Sequence, residues 1–158
     1  MIMKQFVLMI IFMFVFQDSI AQNNLKSFDF IICIDEQIAT TLSNPLIIAK
    51  CGTEERQIDV NYYAGNLSLS NDDYNYISSR QDIDLFLKFN YYQYSLNGKQ
   101  KIYNYETIMR KGLFNQKFVI LKIFNMDKKK YRKRFKTISK DKHYIINIDT
   151  SEGQILEI

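Results

Sequence analysis

Apolar and polar residues alternate along most of this chain with a period of two, which is the pattern of half-buried β-strands. Faces of this kind are formed by Phe28, Phe30, Ile32 and Ile34; by Ile83, Leu85, Leu87, Phe89 and Tyr91; and by Tyr103, Tyr105 and Thr107. Tyrosine and phenylalanine contribute 11 and 12 residues to the 158, and aromatic residues favour strands. The pattern predicts a mainly β protein.

Turn signals divide these strands. Asn97-Gly98 separates two alternating stretches and predicts a tight hairpin, because both residues tolerate a positive φ. Residues 150–153 have turn composition and join a final predicted pair, Tyr144–Asp149 and Gln154–Ile158. The nearly unbroken apolar run Phe118–Phe124 indicates a central strand that is covered on both faces.

Two segments have weak helical signals. Glu36–Leu42 is long enough for one or two helical turns. A helix there should end before Asn44-Pro45, because the residue before a proline disfavours the helical conformation. Ser70, followed three residues later by Asp73, resembles a helix-capping pattern. We therefore expect at most one or two short helical turns.

Seven or eight short strands punctuated by turns predict one antiparallel β-sandwich domain, immunoglobulin-like or transthyretin-like in architecture. A closed barrel is the alternative. Long helices do not alternate with the strands, so nucleotide-binding α/β folds are disfavoured.

The N-terminal residues have the composition of an export signal. Lys4 precedes the apolar run Phe6–Phe16, and Ser19 and Ala21 stand at the positions that a signal peptidase reads. The run is shorter than the roughly 20 residues that span a bilayer. We predict a cleaved signal peptide at residues 1–21 and a domain at residues 22–158, periplasmic or extracellular. An uncleaved N-terminal anchor is the alternative.

Cys33 and Cys51 are the only cysteines, and export would place them where disulfides persist. They lie in neighbouring apolar runs. If these runs pair as a hairpin centred near Leu42, the two thiols face each other, which predicts a disulfide. The alternative is two buried thiols that never meet. A zinc site is disfavoured, because close cysteine pairs and additional histidines are missing.

Charge is unevenly distributed behind the net value of +4. Residues 29–84 carry ten acidic and three basic side chains, whereas residues 127–142 carry nine basic and two acidic ones. The densest basic segment consists of Lys128, Lys129, Lys130, Tyr131, Arg132, Lys133, Arg134, Phe135 and Lys136.

This segment predicts a polyanion-binding site, in which the bases meet anionic groups while Tyr131 and Phe135 stack on rings. For an exported protein the partner would be an acidic envelope polymer or another exported protein. Two alternatives are open: a solvated connection, or neutralisation by the acidic first half of the chain.

Catalytic patterns are sparse. His143 is the only histidine, and neither a nucleophile motif nor a glycine-rich phosphate loop accompanies it. Asp82 and Asp84 share a strand face and are the best carboxylate pair for a glycan hydrolase, although charges are common where a strand begins. No catalytic, cofactor or metal site is predicted.

Two groups of tyrosines are candidates either for the core or for a contact surface. Tyr62 and Tyr63 lie beside a glycine turn, and Tyr92 and Tyr94 alternate with the apolar face of their strand. With no catalytic arrangement in view, the sequence favours a non-catalytic exported binding or structural domain. Polyanion binding through residues 128–136 is the first alternative, and glycan hydrolysis is the second.

Overall fold

Strands make up most of the computed structural model, which describes residues 24–94, 97–137 and 142–157. The strands are β1 (Leu25–Ile34), β2 (Gln37–Ile38), β3 (Ser43–Cys51), β4 (Glu54–Asp59), β5 (Asn61–Tyr63), β6 (Gly65–Ser70), β7 (Asp84–Tyr94), β8 (Gln100–Ile108), β9 (Val119–Asn125), β10 (Tyr144–Thr150) and β11 (Gly153–Glu157). The helices are α1 (Asn71–Ser79), a 3₁₀ helix (Lys111–Asn115) and α2 (Lys129–Arg134).

The strands form two sheets. The first sheet has the order β11-β10-β9-β1-β6-β5, with β2 also paired to β1, and the second has the order β4-β3-β7-β8. The two sheets contribute facing residues to one buried cluster, among them Ile32 and Leu121 from the first sheet and Ile47 and Leu87 from the second. The mainly β class with two sheets is therefore confirmed.

Burial follows the predicted alternation. Phe30, Ile32 and Ile34 of β1 are buried, whereas the residues between them are half-exposed, and β7 repeats the pattern at Leu85, Leu87 and Phe89. One pairing departs from the expected antiparallel arrangement, since β1 runs parallel to β9, with Phe30 beside Val119 and Ile34 beside Ile123. The apolar run before Asn125 is thus a central strand, held between β1 and β10.

Both predicted hairpins are present. In the first, Tyr94 pairs with Gln100, so the connection is longer than a two-residue turn, and Gly98 takes a φ of +76° there. In the second, Thr150 pairs with Gly153 across a two-residue turn.

The capping pattern at Ser70 is confirmed, because its hydroxyl accepts a hydrogen bond from the Asp73 amide at 3.0 Å and begins α1. The helical expectation for Glu36–Leu42 is wrong. Asp35 and Glu36 have positive φ values of 54° and 72°, which turn the chain back so that β2 pairs with the end of β1. Two successive left-handed residues are incompatible with a right-handed helix.

The predicted disulfide is also wrong: Cys33 and Cys51 are both free. The hairpin on which it depended does not form, because β1 belongs to the first sheet and β3 to the second. The left-handed turn after β1 leads the chain to β2 and then across to the other sheet, which separates the thiols.

In the described part of the chain no helix is both long and apolar enough to cross a membrane. The predicted signal peptide falls in residues 1–21, outside the described residues.

Candidate aromatic and basic cleft

A cleft of about 540 Å³ opens where the edge strand β8 of the second sheet approaches the first sheet. Its walls come from β8, from the end of β9 and from the residues that begin β10, with one side chain from α2. The size is within the range of small-ligand sites. We call it the β8 cleft; its chemistry is set by Lys101, Tyr103, Tyr105, Asn125, Asp127, Arg132, Lys142, His143 and Tyr144.

Tyrosine rings form one wall of the β8 cleft. Tyr103 and Tyr105 lie on the same face of β8 with parallel planes and centroids 6.0 Å apart. Tyr144 meets Tyr105 edge-on, at a centroid distance of 5.1 Å. Phe89 packs on the other side of Tyr105, which is 2% exposed. These contacts fix the rings, so the half-buried Tyr103 and Tyr144 present a preformed aromatic surface backed by Tyr105.

A buried hydrogen-bond network supports this wall from below. The Tyr105 hydroxyl donates to Asn125 Oδ1 at 2.9 Å. Asn125 in turn donates from its backbone N to Asp35 Oδ1 at 2.9 Å and from Nδ2 to Asp35 Oδ2 at 2.8 Å. Burial raises the pKa of Tyr105 well above its ordinary value, so its hydroxyl stays protonated and a donor at neutral pH.

Asp35 anchors the network at some conformational cost. Its φ of +54° lies in the left-handed region, which aspartate enters more readily than most residues. The buried carboxylate also forms an ion pair with Lys128, whose Nζ lies 2.7 Å from Asp35 Oδ2. Strain of this kind persists where the surroundings over-determine it, and here three donors, two from Asn125 and one from Lys128, converge on the Asp35 carboxylate.

Positive charge surrounds the opening of the cleft. The cations Lys101, Arg132 and Lys142 line it together with His143, and Asp127 is the one carboxylate among the lining residues. Asp127 accepts hydrogen bonds from the Lys101 ammonium and, at 3.2 Å, from the Tyr103 hydroxyl. Partial burial opposes ionisation of Asp127, yet the bonds from Lys101 and Tyr103 hold its pKa below the ordinary value. The lining keeps a positive balance at neutral pH.

The predicted polyanion segment is placed differently from expectation. Residues 129–134 form α2, and Tyr131 is 1% exposed, packed edge-on against Phe124 at 5.1 Å. Phe135 also packs on Phe124, at 5.3 Å. The Tyr131 ring is therefore not exposed for stacking on a ligand; it anchors the basic segment to the outer side of the first sheet.

Part of the basic charge is neutralised within the protein, as one of the alternatives held. Lys128 pairs with Asp35, and Lys130 Nζ lies 2.7 Å from Glu36 Oε2. The hydrogen bond to Glu36 raises the pKa of Lys130. The acidic partners come from the left-handed turn after β1, so this turn and the basic segment are held together by charge.

The remaining bases of the segment divide into two groups. Arg132 lines the β8 cleft and donates to the Asp127 carbonyl at 3.4 Å, while the Arg134 guanidinium lies 5.4 Å from the Phe124 ring centroid. Lys129, Lys133 and Lys136 are exposed, and within the described ranges none of the three has a carboxylate partner. The segment therefore contributes one residue to the cleft and leaves three lysines in solvent.

Sequence reasoning missed the cleft because its members are scattered along the chain. The sequence does contain a usable signal for Lys101 and Tyr103 as members of a site, since a lysine and two tyrosines share one face of an alternating strand. Lys142 and His143 had none, because only the pairing of β10 with β9 brings them opposite β8.

The other candidates lie elsewhere. Asp82 and Asp84 are both exposed near the start of β7 and do not line the cleft. Tyr62 is 6% exposed and belongs to the core, whereas Tyr63 is 74% exposed. Tyr92 and Tyr94 are exposed on the outer face of the second sheet. The described ranges contain no group of three or more His, Cys, Asp or Glu side chains suited to a metal ion.

The β8 cleft thus combines a packed aromatic wall with exposed cationic side chains, an arrangement that binds groups carrying negative charge. No family model matches this chain, and neither a curated protein nor a solved structure is similar to it. Its function is therefore argued from the site alone.

Proposed function

We propose that this protein is a non-catalytic binding protein that holds an anionic partner in the β8 cleft. The observation that carries the proposal is the gathering of Lys101, Arg132, Lys142 and His143 around fixed tyrosine rings. One carboxylate, Asp127, is present among them and already bonds Lys101. Bases that converge on a concave surface attract anions more strongly than the same bases spread over an open surface.

The proposal modifies the expectation based on residues 128–136. Lys128 and Lys130 are engaged by Asp35 and Glu36, and Tyr131 is buried. The exposed lysines 129, 133 and 136 add a general positive field outside the cleft, which attracts the partner. The specific contacts are assigned to the cleft.

Export through a cleaved signal peptide at residues 1–21 is part of the same proposal, as is a single domain at residues 22–158 of immunoglobulin-like or transthyretin-like architecture. Support for export comes from Lys4 and the apolar run Phe6–Phe16 followed by small residues. Sequencing the N-terminus of the protein recovered from the cell envelope tests it. The expected first residue is Gln22, and recovery with Met1 would contradict cleavage.

The binding experiment compares two charge variants that remove the same number of cations. One carries Arg132→Gln with Lys142→Gln, in the cleft; the matched control carries Lys129→Gln with Lys133→Gln, outside it. The probes are polyphosphate, a sulfated glycan and an acidic peptide, each measured by calorimetry over a salt series with residues 22–158, which include every described element.

We expect the cleft variant to bind its best probe about tenfold more weakly, because its cations converge on one concave surface and can contact the same bound group. The control should lose less than threefold. Equal losses in the two variants would show that charge alone governs binding, and no binding of any probe would reject the proposal.

A further inference from the structure

The wall of the β8 cleft is an open strand edge. β8 is the last strand of the second sheet, and its Glu106 exchanges hydrogen bonds with the Tyr144 hydroxyl through both its amide and its carbonyl. The Glu106 peptide groups therefore point away from β7. Because these directions alternate along an antiparallel strand, those of Ile102 and Asn104 also point away from β7, into the space beside the cleft.

No strand satisfies these two residues. β8 pairs only with β7 among the described strands, and within the described ranges the backbone groups of Ile102 and Asn104 have no hydrogen-bond partner. Tyr144 closes the edge at Glu106, so the open length beside the cleft ends there. Two outward residues can exchange up to four backbone hydrogen bonds with an added strand.

We propose that the partner of the β8 cleft is an extended acidic peptide that pairs with β8 as an additional strand. The proposal rests on the anionic binding argued above and names the class of partner. A peptide supplies donors and acceptors at the spacing that Ile102 and Asn104 require. Acidic glycans and polyphosphate lack that repeating amide donor. They complement the charge of the cleft but cannot pair with the backbone groups of Ile102 and Asn104.

The two sides of β8 set the pattern of the peptide. On the inner side lie Lys101, Tyr103 and the cations contributed by Arg132 and Lys142. On the outer side the Ile102 side chain is 54% exposed beside Tyr92, its partner across the strands. Since successive side chains of a strand point to opposite faces, the peptide carries acids at every second position and an apolar residue between them.

The first experiment uses a seven-residue peptide of alternating glutamate and valine. Two further peptides carry N-methyl groups, one on every glutamate and the other on every valine. N-methylation removes an amide donor and leaves the charge unchanged. Since alternate amides face the same edge, one methylated peptide should lose at least tenfold in affinity while the other binds nearly as well as the parent.

The second experiment alters the protein. Asn104→Pro removes the outward amide at the cleft and leaves the bonds between β8 and β7 intact, since edge strands accept proline where the amide faces solvent. Ile108→Pro is the matched control, because Ile108 shares the outward orientation of Glu106 but does not line the cleft. We expect at least tenfold weaker peptide binding for Asn104→Pro and less than a threefold change for Ile108→Pro.

Hydrogen exchange of the wild-type protein provides a measurement that needs no variant. Bound peptide should slow exchange of the Ile102 and Asn104 amides at least tenfold. Equal affinity for all three peptides, with no slowing at these amides, would overturn strand addition while leaving anionic binding intact. Binding of polyphosphate or the sulfated glycan without binding of the peptide would also overturn strand addition and leave anionic binding intact. If no probe binds, anionic binding itself is rejected.

Discussion

The hydroxyl of Tyr144 joins the two sheets by accepting a hydrogen bond from the Glu106 amide at 3.0 Å and donating one to the Glu106 carbonyl at 2.9 Å. One side chain from the first sheet thus satisfies both outward peptide groups of an edge residue in the second. It occupies the place of a paired strand at this point and marks the end of the open edge that runs beside the cleft.

Tyr144→Phe should lower the free energy of unfolding by about 1–2 kcal/mol, because two hydrogen bonds are lost at a partly exposed site. Denaturation in urea measures the loss. Tyr103→Phe is the control, since its hydroxyl bonds an exposed carboxylate and should contribute less than about 0.5 kcal/mol. A smaller effect of Tyr144→Phe than of Tyr103→Phe would contradict the bridging role.

Asp35 should be the most sensitive polar position near the cleft. Asp35→Ala removes the acceptors of both Asn125 donors and the partner of Lys128, at a positive φ that alanine disfavours. We expect a loss of about 3 kcal/mol in the free energy of unfolding. Asp35→Asn keeps an acceptor and tolerates the left-handed conformation, so it should lose about half as much in the same urea titration.

Two buried tyrosines should make the protein sensitive to alkaline pH. Burial raises the pKa of Tyr62 and of Tyr105. In the unfolded state both hydroxyls have the ordinary tyrosine pKa of about 10, so above that pH the folded state still holds two protons that the unfolded state releases. Stability is therefore complete below about pH 10 and falls as pH rises further.

Alkaline unfolding followed by circular dichroism, with tyrosinate absorbance recorded alongside, checks this pH dependence. Two tyrosines should ionise only as the fold is lost. Replacing both with phenylalanine should flatten the pH dependence above pH 10, although the neutral-pH stability also falls because buried hydrogen bonds are removed. An unchanged slope in that variant would refute the assignment.

Asp127→Asn should strengthen binding of an anion to the cleft. The substitution removes the carboxylate among the lining residues and frees the Lys101 ammonium that it now bonds. We expect a threefold to tenfold gain in affinity at low salt, shrinking as salt screens the added charge. Asp149→Asn is a control on the outer side of the first sheet, where the carboxylate pairs with Lys122, and should not change affinity.

Both thiols should react without a reductant. Cys33 and Cys51 lie in different sheets and are half-buried, and burial raises the pKa of the Cys33 thiol. Alkylation of the unfolded, unreduced protein should add two groups, as measured by intact mass. An unmodified mass would instead show that the two cysteines form a disulfide. Replacing both cysteines with serine should change the midpoint temperature of unfolding by no more than a few degrees.

Local pattern was enough to predict β1, β7 and β8, because alternation at period two depends only on neighbouring residues. The partner of β1 was not predictable in the same way. The order of the runs holding Cys33 and Cys51 favours their pairing as neighbours, yet Asp35 and Glu36 adopt left-handed conformations that end β1 and redirect the chain. In the sequence, two adjacent acidic residues with positive φ look the same as two acidic residues in an ordinary solvated turn.

The basic segment shows a second limit of sequence reasoning. Its charge was evident, but the burial of Tyr131 against Phe124 depends on β9 supplying an apolar surface on the outer side of the first sheet. The cleft itself depends on where β10 begins relative to β8. Such distances between sheets are set by tertiary packing, whereas composition along the chain specifies only which faces are apolar.

The parallel pairing of β1 with β9 has a kinetic consequence. The Asp35 carboxylate meets Asn125 across a separation of 90 residues, so the first sheet cannot close until the chain as far as Asn125 is available. Long-range closure of this kind slows folding to the range of milliseconds to seconds for β proteins. In a newly made chain, β1 can pair with β2 and β6 as soon as residue 70 has been synthesised, but its other edge stays open until β9 follows about 50 residues later.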